Sequence, residues 1–260
     1  MDAKIIDVNG TAISYYDEGT GEPLVLLHGF CDSKDYWARV IPLLAEDFRV
    51  IAVDLPGHGS SGLPEGEPSI EKMAEAIKGA IDELGLDKVS LFGHSLGGYV
   101  SLAFAEAYGE KLKSFSLIHS TASPDSEEGK KGRDVAAGKI DKEGMESFID
   151  GLVPKLFAPG EKHPDEIQMA KEIGYRTRTE GAKAALKAMK QREDRSHVLK
   201  STKFPVLIVA GEQDQIVPPE KSFAVKGSNI KPVTINGAGH MSMYEAPDEL
   251  AEVILGFLKE

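Results

Sequence analysis

Short apolar runs alternate with amphipathic segments through the first 122 residues of the chain. Continuous runs that end at a turn residue are typical of buried parallel strands. Between them, apolar residues recur every third or fourth position, as in a helix with one buried face, and the clearest such helix spans Ile70 to Leu84 with Ser69 as its N-cap. The strand-like runs are 23–30, 49–57, 88–95 and 113–120, and an earlier helical face comprises Trp37, Val40, Ile41 and Leu44. This alternation predicts a parallel sheet with helices on both faces.

Both ends of the chain extend this pattern. Two strand-like segments flank Asn9-Gly10, a dipeptide that favours a tight hairpin turn. Strand-like runs return at residues 203–211 and 231–237. The closing helix has an apolar face made of Leu250, Val253, Ile254 and Phe257. The sequence therefore predicts one α/β core built from residues 1–122 and 203–260.

Residues 123–202 show no strand pattern. Helical spacing extends from Met145 to Phe157, although Gly151 and Pro154 should break or kink that helix. Another helical stretch comprises Ala182, Ala185, Leu186 and Met189. We interpret this block as a small helical insertion into the core, and not as a separately folding domain.

Composition and charge narrow the range of molecules that this protein is expected to bind. The chain has 260 residues, 41% of them hydrophobic and 28% charged, which suits one large α/β domain. Its net charge of −12 makes nucleic acid or an anionic membrane surface a poor partner, because phosphate groups would repel it. We expect a small-molecule substrate, no nucleic acid, no membrane, and a monomer or homodimer.

The single cysteine and the N-terminal pattern bear on location. Cys31 has no second cysteine to pair with, which excludes an intramolecular disulfide and favours a reducing compartment. The N-terminal residues lack the basic and apolar regions of a signal peptide, and no apolar run has the length of a membrane span. We therefore expect a cytoplasmic protein.

One short motif points to nucleophilic catalysis. Residues 93–97 read Gly-His-Ser-Leu-Gly, a G-x-S-x-G pattern between a predicted strand and a predicted helix. A serine in such a tight turn leaves no room for side chains two positions before or after it. The turn would present the Ser95 hydroxyl at the carboxyl end of the sheet, beside the positive end of a helix dipole. We therefore predict that Ser95 is a nucleophile.

A serine nucleophile needs a base, and the base needs an orienting acid. His240 follows the last predicted strand, at the sheet edge where catalytic groups gather, and Asp214 follows the strand before it. The chain order Ser95, Asp214, His240 matches the order usual for this elbow motif. His119 is the rival base and Asp125 the rival acid.

Two backbone amides are the expected oxyanion donors. Leu96 directly follows the nucleophile, and Phe30 lies in the loop after the third strand. The Phe30 side chain should influence only the shape of the substrate pocket, so replacing it with leucine should keep most activity.

Substrate-binding residues are harder to assign. Cys31 adjoins the predicted oxyanion loop and is expected to line the pocket without being reactive, and Met241 adjoins the predicted base. Met145, Phe148 and Phe157 either line an acyl pocket or pack the helical insertion onto the core, and their spacing favours packing. No cluster has metal-ligand spacing and no phosphate-binding loop is present, so we expect no metal and no cofactor.

Five motifs together resemble the α/β-hydrolase family and occur in its usual order. They are HGFCDSKDYW (28–37), DLPGHGSSG (54–62), GHSLGG (93–98), GEQDQIVP (211–218) and GAGHMSMYEAP (237–247). The resemblance implies an eight-stranded, mostly parallel sheet whose second strand is antiparallel, and a cap formed by residues 123–202. It also implies the triad Ser95, Asp214 and His240, with an oxyanion hole at Phe30 and Leu96.

The same resemblance narrows the range of reactions that we expect this protein to catalyse. A serine nucleophile is unlike the aspartate of haloalkane dehalogenases and epoxide hydrolases, and the HGF sequence is unlike the HGGG of bulky-alcohol lipases. The chain is most similar to short bacterial esterases, enol-lactonases and carbon–carbon bond hydrolases with a small cap. We expect hydrolysis of small to medium carboxylic esters. The alternatives are an enol-lactonase or carbon–carbon bond hydrolase, a lyase or perhydrolase, and a ligand receptor that keeps the hydrolase fold.

Overall fold

A computed structural model describes residues 1–160 and 163–260, and eight strands within them form one sheet. The strand order is β1-β2-β4-β3-β5-β6-β7-β8. β2 is antiparallel to both of its neighbours, and all the other pairs are parallel. The strands are β1 Lys4–Val8, β2 Thr11–Glu18, β3 Pro23–Leu27, β4 Arg49–Val53, β5 Val89–His94, β6 Leu112–Ile118, β7 Val206–Gly211 and β8 Ile230–Ile235. The predicted eight-stranded, mostly parallel sheet is confirmed.

Helices cover both faces of this sheet. Every residue of β5 and β7 is buried, and successive side chains of a strand point to opposite faces. The α-helices are α1 Ile41–Leu44, α2 Ile70–Glu83, α3 Leu96–Ala107, α4 Glu127–Leu152, α5 Pro164–Gly174, α6 Thr179–Gln191, α7 Ser196–Ser201, α8 Pro219–Ser222, α9 Ser242–Glu245 and α10 Pro247–Leu258. No helix in residues 1–160 and 163–260 combines the length and apolar content needed to cross a bilayer.

Local sequence signals set several element boundaries. Ser69 caps α2, since its hydroxyl accepts a hydrogen bond of 3.2 Å from the Lys72 amide, as predicted. Asn9 and Gly10 have φ of 51° and 80°, the left-handed conformation that a tight hairpin turn requires. The predicted helical face from Trp37 to Leu44 is instead a 3₁₀ turn, Lys34–Trp37, followed by the short α1. Pro42 lies in the first turn of α1, where proline is tolerated, whereas in the interior of one continuous helix it would remove a hydrogen bond. The two helical segments are therefore separate.

The segment between β6 and β7 contains α4 to α7 and, among its described residues, no strand. Its long first helix is kinked at Gly144, where φ is 80° and ψ is 170°. Gly151, where the sequence suggested a break, stays helical, and α4 ends at Leu152 just before a 3₁₀ turn that contains Pro154. α4 packs on α6 and on α5, so the segment has its own helix–helix contacts.

Candidate active site

Ser95 occupies a strained turn between β5 and α3. Its φ of 50° and ψ of −108° lie outside the favoured regions, a conformation that costs about 1–3 kcal/mol and persists only where the surrounding structure enforces it. Two glycines make the turn possible. A Cβ on Gly93 would overlap the backbone of Gly97, and a Cβ on Gly97 would lie 2.6 Å from the Leu27 carbonyl oxygen. The Ser95 amide donates to the Ile118 carbonyl at 2.9 Å, which fixes the turn to β6.

His240 and Asp214 form a buried pair at the carboxyl ends of β7 and β8. His240 Nδ1 lies 2.7 Å from Asp214 Oδ2, so the Nδ1–H donates and Nε2 stays free to take a proton. Asp214 Oδ1 accepts from the amides of Ile216 and Val217 at 2.8 and 2.9 Å. Burial alone would raise the pKa of Asp214, but the imidazoles of His240 and His119 outweigh it and hold that pKa well below its usual range. Asp214 is therefore a charged acceptor for His240.

Ser95 and His240 line one cavity, of about 530 Å³. No hydrogen bond joins their side chains within the described part of the chain. A nucleophile–base bond of this kind often tightens only when substrate binds. The arrangement supplies a hydroxyl, an imidazole with one free nitrogen, and a buried carboxylate, which are the three parts of a serine triad.

His119, the rival base, lies behind Asp214 and is not among the residues that line the Ser95 cavity. In the neutral imidazole that donates to Asp214, Nδ1–H points to Asp214 Oδ2 at 3.3 Å and Nε2 accepts from the Ser242 hydroxyl at 2.7 Å. Burial lowers the pKa of His119 and favours this neutral form. His119 thus helps to hold the Asp214 carboxylate in place. The rival acid, Asp125, pairs with Arg133 and Arg192 instead of an imidazole.

These groups also form a cluster that sequence spacing did not reveal. Donor atoms of His119, Asp214 and His240 lie within 4.8 Å of one another and could in principle hold a metal ion. They come from three separate loops, which is why no ligand spacing appears along the chain. Because Asp214 already accepts directly from His240 and from two amides, the cluster fits proton transfer, and the absence of a metal stays a prediction.

The loop after β3, in which we predicted one oxyanion donor, is held from both sides. His28 Nδ1 donates to the Gly29 carbonyl at 2.7 Å while its Nε2 accepts from the Leu55 amide at 2.9 Å. The His28 carbonyl accepts from the Gly97 amide at 3.1 Å, which links the loop to the start of α3. Neither Phe30 nor Leu96 donates its amide to another group in residues 1–160 and 163–260. Both amides are thus available to an oxyanion.

Asp32 is a site residue that the sequence reasoning missed. It lines the Ser95 cavity and is 1% exposed. One of its oxygens accepts from the Gly29 amide at 3.3 Å and the other from the Ser33 amide at 2.5 Å. Burial raises the pKa of Asp32 well above its usual value. Asp32 follows Gly29 by three positions, a spacing that could have indicated a loop-closing turn.

Glu245 is a second missed residue. Its carboxylate accepts from the amides of Gly239 and Met241, on either side of the candidate base, at 2.9 and 3.1 Å. It also accepts from the Ala158 amide at 2.7 Å, in the segment between β6 and β7. The His240 amide itself donates to the Leu156 carbonyl at 2.7 Å. The loop of the candidate base is therefore bonded both to Glu245 and to that helical segment.

The predicted substrate-binding residues separate into two groups. Phe30 and Met241 line the Ser95 cavity, and Phe148 lines a larger adjoining cavity and contacts the Phe30 ring edge-on. Cys31, Met145 and Phe157 line neither. Cys31 is buried in the core with φ of 55°, Met145 packs against the core, and the Phe157 ring packs on Tyr244. The remaining lining of the Ser95 cavity is Asp32, Tyr36, His94, Tyr99, Arg133, Leu152, Leu156, Met189 and Ile216.

Comparison with known proteins places this site in context. A sequence model of the alpha/beta hydrolase fold matches residues 22–247. A thermophilic esterase from Thermogutta terrifontis, solved with malate bound, has a TM-score of 0.93 and 32% identity, covering 100% of this chain and 98% of its own. The enol-lactonase from Burkholderia xenovorans LB400 has a TM-score of 0.90 and 26% identity, covering 99% and 100%. The dihydrolipoyllysine-residue acetyltransferase component of the acetoin cleaving system from Pseudomonas putida is 32% identical over 98% of this chain and 68% of its own length.

Proposed function

This chain belongs to the alpha/beta hydrolase family, and we propose that it hydrolyses small to medium carboxylic esters through Ser95, His240 and Asp214. The observation that supports this most is the meeting of a strained serine elbow and a buried His–Asp pair on one cavity.

The proposed reaction is acyl transfer in two steps. Ser95 attacks the ester carbonyl while His240 Nε2 takes its proton, and the amides of Phe30 and Leu96 hold the oxyanion. His240 then protonates the leaving alkoxide, and water activated by the same imidazole releases the acid. Asp214 fixes the tautomer of His240 and stabilises its cation. Each oxyanion donor is worth on the order of 100- to 1000-fold in turnover.

We also propose that residues 123–202 act as a cap on the core of residues 1–122 and 203–260. The described residues of this segment contribute Arg133, Leu152, Leu156 and Met189 to the wall of the Ser95 cavity. The cap would therefore select substrates, whereas the core carries the groups that react.

An enol-lactonase is the second candidate, because the solved enol-lactonase from Burkholderia xenovorans LB400 superposes over almost the whole chain. The same triad would open a cyclic ester, so the chemistry is shared and only the pocket differs. Turnover of an enol-lactone with little turnover of open-chain esters would favour this candidate.

The proposal is tested by hydrolysis of p-nitrophenyl esters of increasing acyl length, with wild type beside Ser95→Ala. We expect loss of roughly a million-fold in kcat in the variant. Ser116→Ala is a matched control, because Ser116 is also a buried serine and its hydroxyl has no partner among the described residues. Fluorophosphonate labelling of Ser95 reports the nucleophile independently of substrate. A wild type that is neither labelled nor active would reject the hydrolase proposal and leave the ligand-receptor alternative.

A further inference from the structure

The Ser95 cavity adjoins a larger cavity of about 1320 Å³, and the two share lining residues that include Phe30, Tyr99 and Arg133. The charged residues that line the larger cavity, among those the structure describes, are Asp125, Arg133, Arg192 and Lys221. The chain as a whole has a net charge of −12. The larger cavity therefore has three cations against one carboxylate, opposite in sign to the whole molecule. The adjoining Ser95 cavity is lined by one carboxyl group, Asp32, and one cation, Arg133.

Arg192 anchors this charge cluster. Its side chain is 4% exposed and stacks on the Tyr99 ring, with the guanidinium carbon 4.0 Å from the ring centroid. Its Nη atoms donate to the carbonyls of Met189 and Ser123 at 3.0 and 3.1 Å, and one lies 2.8 Å from Asp125 Oδ1. This buried guanidinium is locked in place by packing and hydrogen bonds, so it fixes the position of the Asp125 carboxylate.

Asp125 in turn orients Arg133. Its second oxygen accepts from Arg133 Nε at 3.0 Å. Burial would raise the pKa of Asp125, but Arg133 and Arg192 outweigh it and lower that pKa, which keeps the carboxylate ionised. The two terminal nitrogens of Arg133 have no partner in the described part of the chain. Arg133 lines both cavities. Its half-buried guanidinium is oriented by Asp125, and its two terminal nitrogens can donate to a ligand in the Ser95 cavity.

We propose that this arrangement selects esters that carry a second, ionised carboxylate, which Arg133 binds while Ser95 acts on the ester carbonyl. A guanidinium fork matches a carboxylate in geometry as well as charge. The surrounding Phe30, Leu152 and Ile216 would contact the carbon chain between the two groups. This inference rests on the proposed ester hydrolysis and adds the class of substrate.

The test compares monomethyl esters of dicarboxylic acids, from succinate to suberate, with the dimethyl esters of the same acids. A second series, acetate esters of hydroxy acids beside their methyl esters, places the carboxylate on the alcohol side. The readout is the ratio of kcat/KM for the charged ester to kcat/KM for its neutral partner. We expect Arg133→Met to lower this ratio by about 10- to 100-fold in one of the two series, the effect of losing a hydrogen-bonded charge pair.

Two further variants separate recognition from structure. Arg133→Lys keeps the charge without the fork and should give an intermediate ratio. Lys131→Met removes a cation from the same helix at an exposed position that lines neither cavity, and should leave the ratio unchanged. If Arg133 only ties α4 to the loop at Asp125, charged and neutral esters will lose activity alike and the ratio will stay constant, which overturns the proposal.

Binding of glutarate to Ser95→Ala, measured by calorimetry with and without Arg133→Met, does not depend on turnover. Loss of binding in the double variant supports the carboxylate site, and equal affinity in both overturns it. A wild type that hydrolyses neutral and charged esters equally well overturns the carboxylate proposal and keeps ester hydrolysis. A wild type with no turnover and no fluorophosphonate label rejects ester hydrolysis, and the glutarate measurement then decides on Arg133 by itself.

Discussion

Glu245 is expected to hold the candidate base in place, so replacing it with glutamine should lower activity without touching any reacting group. One oxygen of its carboxylate accepts from the Ala158 amide, and the other accepts from the amides of Gly239 and Met241. A glutamine has one oxygen and one NH₂ group in the same two positions. In whichever orientation it settles, its NH₂ faces at least one backbone N–H, and that hydrogen bond is lost.

The magnitude follows from the geometry. The best orientation keeps the two bonds to Gly239 and Met241 and loses the 2.7 Å bond to Ala158. A hydrogen bond to a charged group is worth about 1.5–3 kcal/mol, so we expect a loss of about 2 kcal/mol in the free energy of unfolding. For a domain of this size that corresponds to roughly 4–8 °C in Tm. If the same energy is lost in positioning His240, kcat/KM falls about 30-fold.

The assay combines thermal unfolding with kcat/KM on the ester for which wild type is most active. Glu252→Gln is the matched control, because Glu252 is an exposed glutamate on α10. We expect the control to match wild type in both measurements. Wild-type Tm and kcat/KM in Glu245→Gln would refute the reasoning, and a lowered Tm with unchanged kcat/KM would limit Glu245 to a structural role.

Three further predictions concern folding and pH. Gly97→Ala should lower the free energy of unfolding by several kcal/mol, because a Cβ there would lie 2.6 Å from a main-chain oxygen of β3. Gly138→Ala, in α4 with open space around it, should instead raise Tm slightly. Asp214 has a depressed pKa, so its contribution to stability is present at neutral pH and is lost as pH falls below about 4; urea titrations against pH should show that loss in wild type and not in Asp214→Asn. Lys34→Met should cost about 3–5 kcal/mol in urea unfolding, because it removes the ion-pair partner, at 2.8 Å, of the 0% exposed Asp54 side chain, which keeps the amides of Lys34 and Ser60 as donors.

The parts of the site that the sequence predicted are those that local chemistry dictates. The elbow at Ser95 needs glycines two positions away on either side, because the turn places those positions against backbone. The loops of Asp214 and His240 follow strands whose apolar pattern is plain, so the edge of the sheet on which they lie could be foreseen. The helix-capping role of Ser69 and the hairpin at Asn9-Gly10 are local in the same sense.

The parts that could not be predicted depend on which distant segments meet. Gly144 kinks α4 although Gly151 and Pro154 are equally plausible breakers, and only packing against other helices decides between them. Asp125 satisfied the same positional rule as Asp214, namely a loop after a strand. Its partners, Arg133 and Arg192, lie in the helical segment, whose course no strand pattern constrains.

The residues that line the Ser95 cavity come both from loops of the sheet and from the helical segment between β6 and β7. The candidate triad comes from loops at the ends of β5, β7 and β8, which parallel pairing holds in register. Arg133, on α4, reaches the same cavity from a segment joined to the sheet by loops and by bonds such as that from the Ala158 amide to Glu245. Substitutions in that segment can alter charge and shape around Ser95 while the His240–Asp214 pair keeps its geometry. On our proposals, the preference between charged and neutral esters should therefore respond to changes at Arg133 far more than reactivity toward a fluorophosphonate does.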